Sequence, residues 1–80
     1  MKTIFVGNLS LDVTADSLHT LFEEHGEIIG IDLAPGQDFG YVRMTDDSGA
    51  YRAVKALNGK ACGGQMLNVT VAQAYGSRKR

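Results

Sequence analysis

Residues 2–9 read KTIFVGNL and residues 37–44 read QDFGYVRM, and the alternation inside these two stretches decides the fold. Successive side chains on a strand point to opposite faces. In the first stretch Ile4 and Val6 share one face and Thr3 and Phe5 the other; in the second, Gly40, Val42 and Met44 oppose Phe39, Tyr41 and Arg43. Both stretches thus pair a side suited to a core with a side that carries aromatics.

Working outward, residues 14–25 predict a helix. Thr14 is a good N-cap, Asp16 lies in the first turn, Leu18, Leu21 and Phe22 form one apolar stripe, and Gly26 stops it. The isoleucine-rich segment 27–33 predicts a second strand, which turns at Pro35-Gly36 into a third over 38–44. A second helix is expected from Asp46 or Asp47 to Asn58-Gly59, with Ala50, Val54 and Leu57 inward and Gly49 weakening its first turn. A loop over 60–64 then leads to a last strand, 66–72, that buries Leu67, Val69 and Val71. There is no internal repeat at solenoid spacing.

Strand, helix, strand, strand, helix, strand is the split βαβ order. Right-handed crossovers place the first and third strands at the centre of a four-stranded antiparallel sheet, order 4-1-3-2, with both helices on one face. The expected class is therefore α+β, a ferredoxin-like βαββαβ sandwich. Phe5, Phe39 and Tyr41 then stand together on the face left to solvent. Each forgoes roughly 1.5 to 3 kcal/mol that burial would supply, and flat rings on a flat sheet suit the stacking of bases, worth about 1 to 3 kcal/mol each.

With 80 residues and 8.6 kDa the chain has room for one small domain. No apolar run approaches the roughly 20 residues of a membrane-spanning helix, and no signal-peptide core opens the chain, so an intracellular, cytoplasmic protein is expected. The single cysteine, Cys62, excludes an internal disulfide and reads as inert. His19 and His25, the only histidines, read as solvated helix residues. No zinc-ligand spacing can be assembled, and no cofactor or metal is expected. The net charge is -1, but three of the eight basic residues are Arg78, Lys79 and Arg80. The remainder holds five basic against nine acidic residues, a net of -4. An acidic body with a basic tail lacks the electrostatic footprint of a strong nonspecific nucleic-acid binder.

The two stretches resemble the short motifs of the RNA recognition motif family. The family's hexamer of aliphatic, aromatic, aliphatic, any residue, Asn and Leu is matched by Ile4, Phe5, Val6, Gly7, Asn8 and Leu9. Its octamer falls on residues 37–44 and is met by Phe39, Gly40, Tyr41 and Val42. The resemblance continues through Leu18, Leu21, Phe22 and Gly26, then Ala50, Ala53, Val54, Leu57, Asn58 and Gly59, then Gly64, Leu67 and Val69. It implies that Phe5 and Tyr41 each stack a base and that Phe39 packs against the sugars between them. Gln37 stands where the octamer has a phosphate-binding Lys or Arg, Asp38 where it has glycine, and Met44 where it has its last aromatic. Phosphate attraction should therefore be weaker than is usual for the family, while Met44 points inward as a packing substitution.

Arg43, Asn68, Thr70 and Gln73 on the open face are further candidates for contacts to bases or phosphates; each also reads as an ordinary solvated strand residue. Arg43 is the favoured one, as the cation beside the aromatics. The Asp32 carboxylate can accept from a base or repel a phosphate. The tail Arg78-Lys79-Arg80 can fold over the bound strand or serve only solubility. The expected division is a domain over 1–75 and a basic tail over 76–80. The expected ligand is single-stranded RNA, with single-stranded DNA a second candidate and a monomer the expected state. The expected process is post-transcriptional regulation or RNA chaperoning.

Two rival readings fit the same strand order. A protein-interaction module would use the helical face, or would cover the trio with a partner, and is the alternative reading; nothing after Gln73 is long enough to form a covering helix. The acylphosphatase-like enzymes share the strand order and hold phosphate with an arginine after the first strand. Residues 7–13 here contain no arginine or lysine and one glycine, so that cradle is missing and no catalytic activity is expected. Tyr51 reads as a partly exposed helix residue.

Overall fold

The computed structural model describes residues 2–33, 36, 38–62 and 64–72. The elements run β1 (Lys2–Gly7), α1 (Ala15–Glu23), β2 (Ile28–Leu33), β3 (Gly40–Met44), α2 (Asp47–Leu57), β4 (Ala61–Cys62), β5 (Gln65–Met66) and β6 (Asn68–Val71). Four strands form an antiparallel sheet in the order β2-β3-β1-β6. With β6 as the fourth long strand, this is the expected 4-1-3-2 arrangement and ferredoxin-like α+β fold. α1 packs over β2, and α2 lies over β6, β1 and β3.

The core lies between sheet and helices. Ile4, Val6, Val42 and Met44 from the central strands are wholly buried against Leu18 and Phe22 of α1 and Ala50 and Ala53 of α2, with Leu9, Leu57, Leu67 and Val69 closing the ends. Val13, Leu21, Ile28, Ile31, Leu33 and Val54 pack around this cluster half-buried. Every inward residue of β1 and β3 is thus the one that period-two alternation selects.

The helix starts follow the caps. The Thr14 side chain accepts from the Ser17 amide at 3.2 Å, and the Asp46 carboxylate accepts from the Ser48 amide at 3.4 Å. α1 ends at Glu23, two residues before the expected end, so His25 lies in the turn beyond it and is half-buried. His19 stays on the helix, its Nδ1 3.2 Å from the Glu23 carboxylate one turn on. Gly49 is required by packing. A methyl group there would stand 2.7 Å from the His25 carbonyl oxygen, so glycine lets the start of α2 press against the turn after α1.

Two strand boundaries differ from expectation. β3 begins at Gly40, leaving Asp38 and Phe39 just outside it. The expected loop over 60–64 contributes a small hairpin, β4 with β5, in which Ala61 pairs Met66 and Cys62 pairs Gln65. The last long strand consequently starts at Asn68, and Val71 is half-buried rather than buried. Gly59 adopts φ +84 at the end of α2, and Asn58 Oδ1 accepts from the Val69 amide at 2.9 Å, which ties the helix end to β6.

Candidate nucleic-acid interface

The register of the sheet assembles the open face in rows. Phe5 on β1 lies opposite Tyr41 on β3 and Thr70 on β6, and Tyr41 in turn lies opposite Asp32 on β2. One row therefore reads Asp32, Tyr41, Phe5, Thr70 across all four strands. The neighbouring row reads Gly30, Arg43, Thr3, and on the other side Gly7 faces Asn68.

The three aromatics form one cluster. The Phe5 and Phe39 rings are 6.0 Å apart and inclined by 28°, while Tyr41 meets Phe5 edge-on at 5.8 Å and Phe39 at 6.3 Å. All three are half-buried and lie against one another. These are favourable mutual geometries for aromatic pairs. The Phe5 ring lies down along its own strand over Gly7. A methyl group at residue 7 would stand 2.8 Å from the ring, so glycine keeps it low on the sheet. A platform of stacked and edge-on rings results.

The next two motif residues have structural work. Asn8 sits at φ 59, its Nδ2 donates to the Met66 carbonyl at 2.8 Å, and Gln65 Nε2 donates to the Asn8 carbonyl at 3.0 Å. Asn8 thereby fastens the β4–β5 hairpin to the end of β1. Leu9 is buried, and its amide donates to the Asp38 carbonyl at 2.7 Å, which holds the approach to β3 beside the end of β1.

Arg43 is on the open face as expected, but its charge is already engaged. Its guanidinium crosses β2 above Gly30 and pairs with the Asp32 carboxylate. A methyl group at residue 30 would stand 2.6 Å from Nη2, so glycine provides the floor on which the guanidinium lies. Sequence reading placed Arg43 and Asp32 on this face separately; the missed signal was the glycine opposite Arg43. Asn68 and Thr70 are exposed on β6, on the far side of the trio from this pair. Gln37, Gln73, Arg78, Lys79 and Arg80 lie outside the described residues. Tyr51 is exposed on α2, away from this face, with Lys2 Nζ 5.4 Å from its ring centre.

The family model of the RNA recognition motif matches residues 4–68. The chain belongs to the RNA recognition motif family. It is 37% identical over 68 residues to polyadenylate-binding protein RBP45A of Arabidopsis thaliana, a match that covers 85% of this chain and 18% of that protein. The chain thus spans less than a fifth of that relative. It is 36% identical over 77 residues to RbpB of Nostoc sp., covering 89% of this chain and 75% of that one. Among solved structures, RNA binding protein PG1 superposes with a TM-score of 0.88 at 28% identity, covering 92% of this chain and 96% of that chain. Among the described residues no helix is long and apolar enough to cross a membrane.

Proposed function

We propose that this RNA recognition motif binds short stretches of single-stranded RNA on its open sheet face, mainly by stacking. The observation that carries this reading is the cluster of Phe5, Phe39 and Tyr41, mutually within 6.3 Å on or beside the two central strands and half-exposed. Three half-buried rings on the solvent side of a small domain leave ring surface in water whose covering by a ligand is favourable. Phe5 and Tyr41 each take one base, and Phe39 lies against the sugars between them. Asn68 and Thr70 offer neutral donors and acceptors at the β6 side. Gln73 and the tail Arg78-Lys79-Arg80 complete the path and supply positive charge.

The same reading covers the rest of the protein's role. Residues 1–75 form the binding domain and 76–80 a basic tail. The chain acts as a monomer without catalysis, in the cytoplasm, in post-transcriptional regulation or RNA chaperoning. Single-stranded DNA competes to the extent that stacking rather than the 2′-hydroxyl holds the ligand. The names of RBP45A, a polyadenylate-binding protein, and of PG1, an RNA binding protein, support the choice of ligand.

The test is an amide-shift titration of the labelled protein with mixed short RNA oligomers, run beside the folded double variant Phe39→Ala, Tyr41→Ala. Shifts centred on the trio and lost in the variant are expected; no shifts at millimolar RNA would overturn the proposal and favour a protein partner. Because Arg43 is paired, few phosphates are neutralised. The expected salt dependence corresponds to about two or three phosphates, each contributing a log-log slope near about -0.7.

A further inference from the structure

Beside Tyr41, along the β2 edge of the sheet, lies an open groove of about 500 Å³ lined by Ile31, Asp32, Leu33, Phe39, Gly40 and Tyr41. This is within the roughly 300–1,000 Å³ of small-ligand sites. Its walls are largely apolar or aromatic, and its charged wall is Asp32. The side chain of Asp32 is 60% exposed, and among the described residues only Oδ2 is engaged, by Arg43 Nη1. A base resting on Tyr41 with its edge toward β2 has the Asp32 carboxylate, which only accepts, in the wall beside it, and just outside that wall the paired Arg43 guanidinium, which only donates; along β2 the guanidinium over Gly30 precedes the carboxylate.

That order discriminates among bases. The guanidinium followed by the two carboxylate oxygens presents donor, acceptor, acceptor. The Watson–Crick edge of guanine presents acceptor, donor, donor through O6, N1–H and the N2 amino group, and is its complement. Cytosine presents donor, acceptor, acceptor, so like groups oppose at every position in that orientation, and when the base is turned over its N3 still faces a carboxylate oxygen. Uracil offers a single donor flanked by two carbonyl oxygens, one of which would face the carboxylate. Adenine offers one amino donor beside an unprotonated ring nitrogen, and its amino group would face the guanidinium. The geometry points to Asp32 and Arg43 as the base-reading pair of this surface, selecting guanine in the groove beside Tyr41. Gly30 belongs to the device, because a side chain there would collide with the guanidinium that lies over it.

This inference rests on the RNA-binding reading, and its test separates the two. Binding of uridine pentamers whose central base is guanine, adenine, cytosine or uracil would be measured by amide shifts for the wild type and for Asp32→Asn and Arg43→Lys, each checked as folded by its amide spectrum. The guanine pentamer should bind about tenfold tighter than the others or better, the scale of a good bidentate base contact. Asp32→Asn replaces one acceptor by a donor and should reduce the preference for guanine below about twofold. Arg43→Lys keeps the charge but loses the planar fork and should weaken the preference as well. Inosine, which lacks the N2 amino group, should lose several-fold against guanine; 7-deazaguanine, which keeps the Watson–Crick edge, should bind as guanine does. Equal binding of all four pentamers, or a preference that survives Asp32→Asn, would overturn the base-reading assignment alone. Failure of every pentamer to bind would overturn the RNA-binding reading together with it.

Discussion

On β1, Ile4 and Val6 are wholly buried beneath the helices while Phe5 between them stays half-exposed; on β3, Val42 and Met44 are buried while Tyr41 and Arg43 are not. The same backbone therefore carries two surfaces of opposite purpose, separated only by the parity of residue number. On the closed side each side chain is matched by a neighbour from a helix, and the stabilisation comes from removing apolar area from water. On the open side the largest rings are matched chiefly by one another. The aromatics are thus not a failed second core. A chain of this size, which buries roughly 60% of its unfolded surface, keeps them outside, on or beside two strands whose other faces are fully packed.

The comparison is sharpest in stability. Phe22→Ala removes a ring with no exposed surface from the centre of the closed side and should cost about 3–5 kcal/mol, read as a shift of the urea midpoint. Tyr41→Ala on the open side should cost far less stability but weaken RNA binding by about 1–3 kcal/mol, the worth of one stacked base. If instead Tyr41→Ala unfolds the protein as Phe22→Ala does, the two faces are not distinct and the trio is a core. Gly49→Ala sets packing against propensity. An exposed helix would gain about 1 kcal/mol from this change, but the His25 carbonyl oxygen 2.7 Å from the new methyl group makes a loss of about 1 kcal/mol or more the expected result, and a gain in melting temperature would refute the close approach. The smallest effect is expected for Gly30→Ala. The clash is with the end of the Arg43 side chain, which swings away, so stability should change by less than about 0.5 kcal/mol while the guanine preference declines with the displaced pair.

Much of this was legible in the sequence. Alternation located Phe5, Phe39 and Tyr41 on the solvent side and Met44 inside, and the capping residues Thr14 and Asp46 began their helices where side-chain chemistry requires. The small hairpin was not legible. Two-residue strands have no periodicity to read, and β4 and β5 are held in part by Asn8, which is 57 residues from Gln65 and 58 from Met66 in the chain. The end of α1 was misjudged by two residues because a helix terminus is set by what the chain must do next, here the turn that meets Gly49. Arg43 reads in the sequence as the cation beside the aromatics, a candidate for bases or phosphates, because nothing on its own strand reveals the Asp32 carboxylate that engages it.

The two helices, the four long strands, their order and the parity of the central strands follow from the sequence alone, because they rest on periods of two and of 3.6 and on caps and turns that act within a few residues. Only the tertiary structure decided which side chains meet. Arg43 and Asp32 lie on different strands, 11 residues apart, and come together because the β2–β3 register sets Gly30 opposite Arg43 and Asp32 opposite Tyr41. Register is a property of two strands at once, fixed by the packing of their buried faces, so the pairing that settles the chemistry of the open face was decided on the closed one.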